Sequence, residues 1–319
     1  MRDRLPRISP QLYQRIALVA FVSLVAIVLS GAAVRLTGSG LGCPTWPKCN
    51  GRLVTTELDF HAGVEYGNRL ITGFVAIAAI AAALLAYLRR PFRRDLAWLG
   101  LALPAGVIGQ IALGGLVVLF DLAPGLVMGH FVLSMLIVVA AFSLMWRSRI
   151  PDERVRAQET VEPRNTVLAT RAIAPVAAWV LLLGAVTTGA GPHPGTHGDE
   201  VASRFVFKGG ETLDWMIHWH GRFSTFFGLC AVALWLYLRK QGASPRLRGP
   251  VTAMCVLIAA QGVVGFVQYE NELPPGLVWV HITLATLTWI SVLWSVAAAG
   301  RLAPQEAPQL SPQAPPSAT

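Results

Sequence analysis

Eight runs of apolar residues, at about 13–34, 61–88, 96–118, 125–146, 172–190, 213–238, 249–269 and 276–299, leave this chain few ways to fold. Each is near the ~20 residues that a helix needs to cross roughly 30 Å of hydrocarbon. In lipid every backbone N–H and C=O must be satisfied internally, which leaves helices or a closed barrel, and runs this long mean helices. Gly and Pro inside them are tolerated in membrane bundles. Only 13% of the 319 residues are charged, against about a quarter in a soluble domain. The expected fold is an all-α polytopic membrane protein with eight transmembrane helices.

A formal net charge of +9 invites a nucleic-acid reading, which its distribution rejects. With the N-terminus placed in the cytoplasm, 19 of the 26 Lys and Arg fall in segments on that side. The other seven, Arg35, Lys48, Arg52, Arg69, Arg204, Lys208 and Arg222, lie on or near the outer side. This asymmetry predicts a multi-pass protein of the cell membrane with both termini cytoplasmic. The first apolar segment follows Arg15 and ends in SGAA, as a signal peptide could, but is too long for a typical signal core. The Pro-rich tail over 301–319 is expected to be disordered and cytoplasmic.

The longest cytoplasmic interruption, residues 147–171, divides the spans four and four, into 1–146 and 172–300. The halves align. Gln110, Gly114, Pro124, Gly125, Leu126, Val127 and His130 recur as Gln261, Gly265, Pro275, Gly276, Leu277, Val278 and His281, all at an offset of 151. Identities in helix, loop and helix at one offset point to internal duplication, and predict two pseudo-symmetric four-helix bundles. Nearly the same offset sets Asn68 opposite His220. One plan has received two chemistries: His and His in the second half, Asn and His in the first.

Ionisable groups inside lipid are expensive and mark functional sites. His220 and His281 sit at similar depth on the sixth and eighth spans, and facing histidines in a four-helix unit are a means of holding haem iron from both sides. The alternative is two unrelated core histidines, each bonded to a neighbouring carbonyl. His218 competes with His220, but residues two apart point roughly 200° apart on a helix, and the repeat selects His220. In the first half, His61, Glu65 and Asn68 follow at i, i+4 and i+7, on one helical face, with His130 at comparable depth. His130 could ligate iron that Asn68 cannot, while Glu65, in a low-dielectric site, suits proton exchange. Equally, Glu65 could pair with Arg69 at i+4 as a structural brace, and His61 could simply be solvated.

The loop RLTGSGLGCPTWPKCNGR carries Cys43 and Cys49. The other cysteines, Cys230 and Cys255, lie in spans, which argues against a four-thiolate zinc site; an exported pair six apart reads as a disulfide in preference to free thiols. His193 and His197, beside Asp199 and Glu200, could bind a metal or be a solvated loop. Arg35, Arg69 and Arg222 could meet haem propionates, aromatic rings or lipid headgroups.

With GAAVRLTGSGLGCPTWPKC followed by HAGVEYGNRLIT, the chain resembles the haem A synthase family over about residues 15–300, and the AGPHPG loop and HWH segment resemble its actinobacterial-type branch. The resemblance implies a membrane oxidoreductase of haem biosynthesis and cytochrome oxidase assembly, which oxidises a methyl group of haem O to the formyl group of haem A. It implies a resident haem b in the C-terminal half, with His220 and His281 as axial ligands, and a substrate-haem site in the N-terminal half. There Glu65 would be the essential carboxylate, His130 an iron ligand, and Cys43 and Cys49 the loop disulfide or redox pair. Relatives carry His-Arg where this chain has Asn68-Arg69, so His61, two turns away, is a candidate substitute. The implied partners are haem O, passed on by haem O synthase, and an electron donor or acceptor. The rival readings are a b-type cytochrome electron carrier, which would want histidine pairs in both halves, and a haem transporter, which has little use for Glu65.

Overall fold

The computed structural model describes residues 7–49, 51, 59–157, 162–197 and 203–302. Among these the chain forms nine helices and no strand: α1 (Pro10–Leu36), α2 (Phe60–Leu88), α3 (Arg94–Leu119), α4 (Pro124–Ser148), α5 (Asp152–Ala157), α6 (Arg164–Ala190), α7 (Thr212–Lys240), α8 (Pro245–Glu270) and α9 (Pro275–Ala299). All but α5 are long and apolar enough to cross a membrane. Residues 303–319, which include most of the expected disordered tail, lie outside the described residues.

Local chemistry sets the boundaries. The Ser9 hydroxyl caps α1 through the Leu12 N–H (3.2 Å), and Asp59 Oδ1 caps α2 through the Ala62 N–H (2.8 Å), each satisfying a donor that the first turn leaves free. Pro124, Pro245 and Pro275 open α4, α8 and α9, where the missing N–H is no loss. α6 begins at Arg164, inside the stretch read from the sequence as linker. Its polar first turns extend beyond the apolar run.

Helix lengths and turn conformations recur along the chain. The helices α1 to α4 have 27, 29, 26 and 25 residues, and so do α6 to α9 in the same order. The α3–α4 turn holds Asp121 and Leu122 at φ 47° and 57°, and the α8–α9 turn holds Glu272 and Leu273 at 59° each. Positive φ is unfavourable for such residues, yet both copies keep it. Each pairs a leucine N–H with a carbonyl at the end of the preceding helix, Leu122 to Val117 (2.8 Å) and Leu273 to Gln268 (2.7 Å).

α1 packs against α2 and α4, α2 against α3, and α3 against α4; α6 packs against α7 and α9, α7 against α8, and α8 against α9. Contacts between the sets run from α1 to α9, α4 to α6 and α4 to α9. Small residues allow close approach: Gly100 of α3 lies on the Ala82 and Ala83 backbone of α2. The Trp279 and Trp289 indoles tie α9 to the first half through the carbonyls of Leu29 (3.0 Å) and Met135 (3.4 Å). At the end where α2 meets α3, Nη2 of the buried Arg89 donates to both carboxylate oxygens of Asp152 (2.9 and 3.1 Å), and Asp95 accepts from Arg93 and Arg147.

Candidate functional site

The site begins where the loop after α1 folds onto the first turns of α2. A Cβ at Gly42 would stand 2.3 Å from the His61 carbonyl oxygen, so only glycine lets the loop lie this close. Cys43 and Cys49 form a disulfide with both residues fully buried. Beneath it, Glu65 is 6% exposed and accepts from the Cys43 N–H (2.7 Å) and from the Arg69 guanidinium (Nε 3.1 Å, Nη2 2.5 Å). Arg69 also donates to the carbonyls of Cys43 (3.0 Å), Thr45 (3.3 Å) and Lys48 (3.0 Å). The brace considered from the sequence is present, and its guanidinium is spent on this loop. The same loop lays Trp46 over Gly115 of α3.

The other residues of that α2 face reach α1 and the loops. The His61 ring meets Ser39 Oγ through Nδ1 (3.0 Å) and stacks on His197, centroids 3.9 Å apart and planes within 5°. Asn68 Oδ1 accepts from the Ser30 hydroxyl of α1 (2.8 Å). His130, on α4, has a buried Nδ1 without a hydrogen-bond partner, and its Cε1 edge rests against Gly114 of α3.

In the second half His220 and His281 face one another, ring centroids 6.3 Å apart and planes inclined by 68°. Both Nδ1 atoms are buried and unpartnered; His220 is also within reach of the Val180 carbonyl. Each ring edge has a glycine opposite it, Gly184 of α6 for His220 and Gly265 of α8 for His281. His218 turns outward, exposed, and donates to the Asp214 carbonyl (2.8 Å). A metal ion held between two imidazoles at about 2.0–2.1 Å from each sets their centroids about 6 Å apart, so the pair fits axial ligation of a haem iron. His130 fits as a single ligand, with an orphaned imidazole against a glycine.

Further arginines and histidines named from the sequence have structural partners. Arg35 donates to the His193 carbonyl (2.8 Å), and Arg222 sits 5.0 Å above the Trp219 ring. His193 donates to the Leu273 carbonyl (2.7 Å) and His197 to that of Gly38 (3.1 Å); no cluster of three metal-ligating side chains occurs among the described residues. Asp199 and Glu200 lie outside them. Ser30, Ser39, Trp46 and Gly184 escaped the sequence reading. A lone serine in an apolar helix, bonding its own turn, gives no signal; Gly184 was within reach had the two first helices been aligned.

The family of cytochrome oxidase assembly proteins named COX15-CtaA matches residues 14–193, more than half of the chain. Among curated relatives, the haem A synthase of Lysinibacillus sphaericus is 32% identical over 129 residues, 40% of this chain and 42% of that protein. The haem A synthase of Alkalihalophilus pseudofirmus is 30% identical over 129 residues, 40% and 43% of the two chains, and that of Bacillus mycoides 28% over 122, 38% and 39%. The chain thus aligns with about two fifths of the length of these relatives. A multi-pass membrane chain with this match belongs to the COX15-CtaA family of cytochrome oxidase assembly proteins, the haem A synthase family.

Proposed function

We propose that this protein is a haem A synthase, oxidising a methyl group of haem O to the formyl group of haem A. The observation that carries the reading is one duplicated plan with unequal chemistry. His220 and His281 face each other in the second half, whereas Asn68, bound to Ser30, stands where His220 stands. The two helix sets act as pseudo-symmetric four-helix bundles, with both termini in the cytoplasm and the disulfide loop outside.

In the second half His220 and His281 hold a resident haem b, which when bound supplies one-electron transfer. In the first half His130 holds the substrate haem and Glu65 takes up protons. Turning a methyl into a formyl group with water as the source of the oxygen atom releases electrons and protons, so a carboxylate shielded from bulk water is a suitable proton acceptor. Arg69 holds that carboxylate in place and locks it to the loop over the site. Haem O arrives from a haem O synthase, and the electrons pass to a membrane carrier.

Extracting the haems from purified protein tests this. Haem B together with haem O and haem A is expected. Haem B alone would favour an electron carrier, and haem O without any oxidised product a transporter.

A further inference from the structure

The two helix pairs that differ between the halves differ in two residues together. α1 and α6 both have 27 residues, and equal positions from their first residues set Ser30 opposite Gly184. Contacts agree with this register: Ser30 touches Asn68, and Gly184 touches His220. At Gly184 a Cβ would stand 3.1 Å from His220 Cε1, 3.6 Å from Nδ1 and 3.7 Å from Nε2. The imidazole is seated there because the neighbour has no side chain. In the first half that place holds a serine, whose Cβ and Oγ would crowd an imidazole seated as His220 is and instead meet the Asn68 amide.

Ser30 also sets what the amide presents. Its hydroxyl lies 2.8 Å from Asn68 Oδ1 and 3.2 Å from the Ile27 carbonyl, and the proton belongs to the shorter contact. The carbonyl end of the amide is thereby engaged, and its N–H2 remains as the donor. Thr72 bonds the Asn68 backbone carbonyl (3.0 Å) and leaves the side chain alone.

We propose that Ser30 and Asn68 work as one unit: Ser30 bars a second imidazole and orients Asn68, so that a haem held by His130 keeps one axial face for a small neutral ligand such as a diatomic gas or water, with the Asn68 N–H2 as its hydrogen-bond donor. This rests on the functional reading above, in which the first half takes a haem. An amide donor beside such a ligand stabilises it as a second imidazole ligating the iron could not.

Carbon monoxide is the probe. Full-length protein in detergent is loaded with haemin, and haem per chain, the reduced CO difference spectrum and the ferric electron paramagnetic resonance spectrum are recorded. Wild type is expected to show CO-binding haem beside low-spin haem that does not bind CO. Asn68→His alone should keep CO binding, because Ser30 still occupies the seat. The Ser30→Gly, Asn68→His double variant should lose CO binding and gain low-spin signal. If Asn68→His does not accumulate, the double variant decides, since it carries the same histidine without the serine. Loss of CO binding in Asn68→His alone, or its persistence in the double variant, would overturn the role of Ser30. Wild-type protein that loses haem on His130→Ala yet never binds CO would overturn the proposal and leave the functional reading intact. Haem content indifferent to His130→Ala would overturn both.

Discussion

Glu65 meets two demands with one carboxylate: it anchors the disulfide loop through the Cys43 N–H and Arg69 and, in the proposed function, takes up protons. Glu65→Gln separates them, because it keeps the shape but loses the charge facing Arg69. Removing a hydrogen bond to a buried charged partner costs about 1.5–3 kcal/mol, so the variant is expected to melt several degrees lower. Normalised to resident haem b, its yield of haem A should nonetheless fall far more than its folded fraction; unchanged turnover per haem b would leave Glu65 a brace only. Arg69→Lys offers a second reading at this scale. An ammonium cannot reproduce a planar fork that serves a carboxylate and three carbonyls. The loop should loosen, and the Cys43–Cys49 disulfide should be reduced faster by dithiothreitol than in wild type. The sequence exposed Glu65 and Arg69 because charges in an apolar run stand out. It left open whether they pair, and it could not show Ser30, since a serine that bonds a neighbouring helix looks like one that bonds its own turn.

Among the helices, glycine is the seat of the histidines, and the distances rank the seats. A methyl group at Gly184 would lie 3.1 Å from His220 Cε1, whereas one at Gly265 would lie 3.5 Å from His281 Cε1, an ordinary contact. Gly184→Ala is therefore expected to weaken the low-spin haem spectrum and Gly265→Ala to leave it nearly unchanged. Equal effects would mean that seating is not what the glycines do. At Gly42 the opposing group is backbone, 2.3 Å away, and cannot yield as a side chain can. Element number and order were legible because runs of about 20 apolar residues have one solution in lipid. Boundaries such as Arg164 were not, because α6 begins with polar turns ahead of the apolar run and without a side-chain cap, so hydropathy alone does not mark its start.

The molecule as a whole is tied across its halves by loops far apart in sequence. Gly40 N–H donates to the Gly195 carbonyl (2.7 Å), and His61 stacks on His197. No periodicity foretells such contacts, so the sequence, which shows identities repeated at one offset, could not reveal how the two helix sets are joined. In the proposed topology, argued from the charge asymmetry, this loop cluster lies outside. Accordingly a cysteine at Lys208, whose side chain is half exposed, should react with an impermeant maleimide on intact cells, and one at the exposed Gln241 only after lysis. The reverse pattern would invert the topology. A last consequence follows from the equal helix lengths. His130 and His281 are each the seventh residue of 25-residue helices, and Asn68 and His220 each the ninth of 29. On the proposed function, two pseudo-symmetric halves with this register would hold their haems at one depth. An electron passing between such haems would travel in the plane of the bilayer and do no work against the transmembrane voltage, which would otherwise amount to about 2.3 kcal/mol per charge for every 100 mV crossed. In proteoliposomes, a diffusion potential of either sign should leave electron exchange between the two haems unchanged in rate, so that the enzyme runs alike in energised and de-energised membranes.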